Sequence, residues 1–304
     1  MHRRVALLLV AFLLSTPVST SGAQTDLQLE HRLSGYVAHY GGKVALFATD
    51  LRSGKSVALA ADAPVPTASV IKLTILFEAL KEIQAGTARF GEPLQLTAEN
   101  QVEGSGVLAQ FDTPQTITLR DALTLMIVVS DNTATNLLID RFGLEQIDSR
   151  IQWMGLHDTW LYKKVFKPAP AGAPADQKRF GLGKTTAREM AAVMRRFATC
   201  DLSSPGTSSA PPAADQQLCA VAIKMLKNQT DGAAIPRYLG ALEVGNKTGA
   251  LDEVRNDVAV VYARNGPIVI SAFTYDNKDK SWTPDNRAQL LIAHLAKLIV
   301  DRWQ

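Results

Sequence analysis

Strand-forming runs stand at both ends of this sequence, and helical periodicity fills the stretch from about Pro64 to Leu226 between them. Residues 44–49 and 56–60 read as two strands joined by the polar turn Arg52-Ser53-Gly54-Lys55. Residues 242–244, 258–263 and 268–273 read as three more, the last two closed by Asn265-Gly266. Strands so far apart share a core only if the two ends of the chain return to one another. The expected fold is therefore α/β of the α+β kind: an antiparallel sheet built from residues 24–63 and 235–304, with an all-helical subdomain, residues 64–234, inserted in it. Helices are expected over residues 27–40 (ended by Gly41-Gly42), 70–84, 119–128, 133–142 and 285–302. Thr186-Ala187-Arg188-Glu189 has the form of a capping box opening a helix to Ala198, which makes Glu189 a cap rather than a catalyst. No internal repeat is visible.

The first 23 residues read as an export signal rather than as part of the fold. His2-Arg3-Arg4 is a basic start, residues 5–14 are an apolar run too short to span a bilayer, and Ser21-Gly22-Ala23 offers small residues for cleavage. Cleavage near Ala23 implies a periplasmic or secreted protein without stable membrane insertion. The remaining chain carries 30 basic and 29 acidic residues, a balance that argues against a nucleic-acid or anionic-membrane surface. Cys200 and Cys219 are the only cysteines; in an exported protein the favoured reading is a disulfide clasping residues 202–214, and the alternative is two buried thiols. The five histidines, at 2, 31, 39, 157 and 294, show no paired ligand spacing, so neither a metal nor another cofactor is implied.

Three short strings carry chemistry, in this order: Ser69-Val70-Ile71-Lys72, Ser130-Asp131-Asn132 and Lys247-Thr248-Gly249. A serine hydroxyl is a weak nucleophile near neutral pH and needs a base within hydrogen-bond reach. On a helix, residues three apart share a face, which sets Lys72 one turn from Ser69. Each string has a local reading as a helix cap or a solvated strand end. Their ordered combination arises by chance in fewer than roughly one chain in a thousand, and the local readings do not explain it.

With their flanks, Pro66 to Lys72, Ile127 to Leu138 and Gly245 to Ala250, these strings resemble the motifs of class A β-lactamases and penicillin-binding serine hydrolases. Gly104-Ser105-Gly106-Val107-Leu108, ahead of the second string, adds to the likeness, which spans nearly all of the chain after the signal. The resemblance implies an acyl-serine mechanism with Ser69 as nucleophile, Lys72 as its base and Ser130 passing a proton to the leaving nitrogen. It further implies Asn132 holding the substrate's side-chain amide, Lys247, Thr248 and Gly249 beside the substrate carboxylate, and the Ala250 N–H completing an oxyanion hole with that of Ser69. Arg255 is either a second cation at the carboxylate or an ordinary surface arginine.

One part of the family's pattern is missing. Class A enzymes hydrolyse the acyl-enzyme with a glutamate and an asparagine of the omega loop, and between Met154 and Thr186 this chain has neither. Asp176 is the candidate replacement. Three functions follow from the resemblance: a secreted β-lactam hydrolase, monomeric and with slow deacylation; a D-alanyl-D-alanine peptidase of cell-wall metabolism; and, outside the enzymes, a penicillin-binding sensor module.

Overall fold

A computed structural model describes residues 24–207 and 210–304, so the export signal read over residues 1–23 lies outside the described residues. In chain order the N-terminal elements are β1 (Gln24–Thr25), α1 (Leu27–Val37), β2 (Lys43–Asp50) and β3 (Lys55–Leu59). The middle of the chain holds β4 (Val65–Pro66), a 3-10 turn (Ala68–Ile71), α2 (Lys72–Gln84), β5 (Pro93–Leu96), β6 (Gln115–Thr118), α3 (Leu119–Val128), α4 (Asn132–Phe142) and α5 (Leu144–Trp153). It continues with β7 (Trp160–Leu161), α6 (Gln177–Phe180), β8 (Gly183–Thr185), α7 (Ala187–Thr199) and α8 (Ala213–Lys227). The chain closes with β9 (Val244–Leu251), β10 (Val254–Ala263), β11 (Gly266–Tyr275) and α9 (Arg287–Trp303).

Both chain ends do build one sheet, in the order β1-β3-β2-β11-β10-β9. Every pairing in it is antiparallel except that of β1 with β3. Alternation along β10 explains how one strand serves two cores. Val258 and Val260 face the helical layer, while Ala259 and Val261 face the layer containing α1 and α9. The strand is thereby buried on both faces, which is why residues 258–263 of it read as an unbroken apolar run. Ala263 pairs with Gly266, so the hairpin turn falls on Arg264-Asn265, one residue earlier than expected, and Gly266 at φ 133° takes up the twist.

The inserted subdomain is not purely helical. Two small sheets, β4-β8-β7 and β5-β6, pin its loops. Their strands are two to four residues long, too short to leave a periodicity in sequence. At its centre, residues 72–80 of α2 are buried on every face. That helix accommodates Glu78, fully buried, by pairing it with Arg150 at 2.6 Å. Helix α3 carries a reciprocal capping box between Thr118 and Asp121. At α7 only half of the expected box exists. Thr186 caps the Glu189 N–H, but the Glu189 carboxylate instead accepts from the Asp158 N–H and the Thr159 hydroxyl, anchoring the turn after α5. Cys200 and Cys219 are joined, with Cα atoms 5.5 Å apart, tying the C-terminus of α7 to α8.

Candidate active site

The nucleophile string does not start the helix; it precedes it. Ala68 to Ile71 form a 3-10 turn, with Ala68 at φ 45°, and the α-helix begins at Lys72, two residues later than the periodicity suggests. Val70 and Ile71 are fully buried and anchor this turn, leaving Ser69 at the surface of a cleft of about 1110 Å³. Strand β9 passes directly against the turn. A Cβ built on Gly249 would lie 2.8 Å from the Thr67 carbonyl and 3.0 Å from the Ser69 N. Glycine is required there by this close approach of two backbones. On the neighbouring strand, Asn256 lies opposite Gly249 and donates from Nδ2 to the carbonyls of Pro66 and Thr67, fastening the same turn from β10.

The second string connects α3 to α4. Ser130 sits at φ 56°, a left-handed conformation unusual for serine. Asp131 caps α4 through the Ala134 N–H, and its other oxygen accepts from the N–H groups of Val107 and Leu108. The loop of residues 104–108 is thus folded onto Asp131, and any side chain at Gly106 would strike it at 2.2 Å. The Asn132 N–H donates to Ser105 O, and its side-chain Nδ2 donates to Glu103 O.

Two buried lysine side chains meet at one hydroxyl. Lys72, fully buried, donates from Nζ to Ser130 O at 2.7 Å, Ser130 Oγ at 3.1 Å and Asn132 Oδ1 at 3.0 Å. Lys247, also fully buried, donates to Ser130 Oγ at 3.0 Å and to Thr248 O at 2.7 Å. Among the described residues no hydrogen bond joins Lys72 to Ser69 Oγ; the lysine rests on the Ser130 side. Burial, and secondly the Lys247 charge, hold the Lys72 amine well below the ordinary lysine range. Burial brings Lys247 down to about 8, opposed by the nearby carboxylates of Asp257 and Asp231.

Thr248, Gly249 and Ala250 line the cleft along β9. Arg255 also lines it, but its guanidinium donates to the carbonyls of Leu251, Val254 and Ser281 and stacks on Trp282 at 4.5 Å. The arginine is 3 % exposed, so the reading of it as an ordinary surface arginine is corrected. Its hydrogen bonds hold the cleft wall, and its charge remains in that wall.

The candidate deacylation base is also corrected. The Asp176 carboxylate accepts from the Tyr162 hydroxyl at 2.8 Å and from Lys184 Nζ at 2.9 Å, and it does not line the cleft. The Lys184 ammonium keeps it below the usual carboxylate range, the opposite of what a base near neutral pH needs. Instead, Lys163, Val165, Phe166, Gly181 and Leu182 bring this loop to the cleft, and none of them carries a carboxylate. Val165 is held from both sides: Asn136 Oδ1 accepts from its N–H at 2.8 Å, and Asn136 Nδ2 donates to its carbonyl at 3.1 Å.

Sequence reasoning missed Asn136, Asn256 and Asp257. Asp257 is fully buried behind β9, accepting from Asn246 Nδ2 and the Ile235 N–H, and burial pushes its carboxyl up to about 7. The available signal was Arg255-Asn256-Asp257 leading directly into the apolar run of residues 258–263, where buried polar groups need partners.

Comparison with known proteins agrees with this geometry. Residues 28–303 match the model of the beta-lactamase enzyme family. Beta-lactamase AST-1 of Nocardia asteroides is 26 % identical over 285 residues, covering 93 % of this chain and 86 % of that protein. The crystal structure of a beta-lactamase from Sphaerobacter thermophilus superposes with a TM-score of 0.76 at 25 % identity, over 90 % of this chain and 96 % of that one. A mutant of PBP-A, solved as an acyl-enzyme complex with penicillin G, has the same fold: TM-score 0.77 at 22 % identity, over 92 % of this chain and 98 % of that one. A match over nearly the whole chain, together with a serine turn, two buried lysines and a shared hydroxyl in one cleft, leads to one assignment: the chain belongs to the beta-lactamase enzyme family.

Proposed function

We propose that this protein is an exported, monomeric class A-type serine hydrolase that opens the β-lactam amide through an acyl-serine at Ser69. The observation that carries this reading is the convergence of Lys72 and Lys247 on Ser130 Oγ beside the Ser69 turn. A neutral Lys72 takes the Ser69 proton, directly or through Ser130, and Ser130 delivers it to the leaving nitrogen. The N–H groups of Ser69 and Ala250 receive the developing oxyanion. Lys247, charged below about pH 8, attracts the substrate carboxylate, which Thr248 completes with a hydroxyl.

Deacylation is the slow half. The loop between α5 and α7 brings no carboxylate to the cleft, and loss of a positioned general base lowers a rate by about 10²–10⁴. That same observation favours the D-alanyl-D-alanine peptidase reading, in which the acylation half is shared and β-lactams become long-lived adducts. Time-resolved intact mass with benzylpenicillin tests both. An adduct on the wild type and none on Ser69→Ala is expected; slow, continuing turnover supports the hydrolase, and a stoichiometric burst without turnover supports the peptidase. No adduct on the wild type overturns both.

A further inference from the structure

Phe166 is an exposed aromatic ring on the rim of the catalytic cleft, 70 % accessible, and its backbone adopts φ 55°. A bulky residue is strained in that conformation, and such strain persists only where the surroundings impose it. Here the imposition is visible: the preceding residue, Val165, is buried and clamped through both its N–H and its carbonyl by Asn136. The clamp fixes where the ring goes. A Cβ built on Gly104 would lie 3.0 Å from the Phe166 ring and 2.7 Å from Asn132 Nδ2, so ring, Gly104 backbone and Asn132 amide are packed at one point. Phe166 therefore reaches from its own loop to the 104–108 loop on the opposite side, above Asn132. Of the two Asn132 Nδ2 protons, one is donated to Glu103 O, leaving one for a substrate carbonyl.

We propose that Phe166 is a specificity-determining residue, whose ring takes an aryl or similarly flat apolar substituent carried one or two atoms beyond the amide that Asn132 holds. This rests on the β-lactam-acylating reading above and deepens it by naming the class of acyl side chain. Offset or edge-to-face contact with a partly exposed ring contributes roughly a 3- to 12-fold preference. A substrate with a bare amine at that position gains nothing from it.

The test measures the second-order rate constant for Ser69 acylation by benzylpenicillin and by 6-aminopenicillanic acid, which lacks the side chain. Phe166→Ala is expected to slow benzylpenicillin roughly 3- to 12-fold while changing 6-aminopenicillanic acid less than about twofold, and Phe166→Tyr is expected to retain the preference. Equal loss for the two substrates, or no loss for benzylpenicillin, overturns the assignment while the acylation reading stands. Failure of the wild type to acylate with either compound overturns that reading, and the side-chain assignment with it. Unchanged melting temperatures keep a folding defect out of the comparison.

Discussion

Substituting Gly249 by alanine tests whether the approach of β9 to the nucleophile turn is what makes Ser69 reactive. The new Cβ would lie 2.8 Å from Thr67 O and 3.0 Å from both the Ser69 N and the Val70 N. These are backbone atoms, so relief cannot come from a rotamer change. The shortest contact falls about 0.6 Å below ordinary van der Waals separation, and the strand must withdraw by a comparable amount. Asn256 resists the withdrawal by holding Pro66 and Thr67 against β10. Overpacking of this kind destabilises by about 1–3 kcal/mol. The larger effect is geometric, because Lys247 and Ala250 ride on the same strand, and displacement of reacting groups by a substantial fraction of an ångström lowers a rate by about 10- to 100-fold. Gly245→Ala is the control. It lies on the same strand, but its nearest contacts are side-chain carbons of Leu226, Val260 and Lys227 at 3.3 to 3.6 Å. Acylation by benzylpenicillin, followed by intact mass alongside thermal melts, is expected to fall 10- to 100-fold for Gly249→Ala and to remain near wild type for Gly245→Ala. Wild-type acylation by Gly249→Ala, or an equal loss in both variants, refutes the reasoning.

Lys247, at about 8, is a cation below that pH and loses its charge above it. The acylation rate constant should therefore fall above about pH 8, after rising on the acid side as Lys72 loses its proton. Lys247→Arg should carry the alkaline fall upward, and a profile flat from pH 6 to 10 would contradict this assignment. Val165→Glu places a carboxylate on the clamped loop residue that lines the cleft; steady hydrolysis of benzylpenicillin should rise at least about tenfold with acylation little changed. Arg150→Ala removes the partner of fully buried Glu78 and should lower unfolding stability in urea by about 3 kcal/mol, with Glu78→Gln/Arg150→Met recovering part of the loss.

The catalytic strings were legible because each is contiguous and each is placed by a local element: a turn before α2, the α3–α4 junction and a strand. What sequence could not show is how those elements touch. The apolar signal of β9 covers only residues 242–244, because Asn246, Lys247 and Thr248 break the pattern, although the third string was itself expected on a strand; β9 runs over Val244–Leu251, stabilised by its ladder to β10. Asp176 looked plausible as a base because it is an acid in the right loop. Only the three-dimensional structure reveals that Lys184 and Tyr162 already occupy it. Arg255 stayed ambiguous for the same reason, since its three carbonyl partners lie up to 26 residues away. Asn136, about one turn beyond Asn132 on α4, gave no sign that it clamps a loop 29 residues downstream.

Two lysines on one hydroxyl also pose the question of which is base and which is anchor, and lysine chemistry alone does not answer it. Both are fully buried, so desolvation acts on each and disfavours charge. The difference lies in the carboxylates around them. Asp257 and Asp231 support a proton on Lys247, whereas on Lys72 only Asp131 does so, and the Lys247 charge works against it. The environment thus separates two chemically identical groups into an ammonium that attracts an anion and an amine able to take a proton. It follows that Asp257, which touches neither Ser69 nor the cleft, helps to assign the roles. Neutralising it should erode the distinction by lowering Lys247 toward Lys72, so that the carboxylate anchor weakens at a lower pH while the nucleophile turn stays in place.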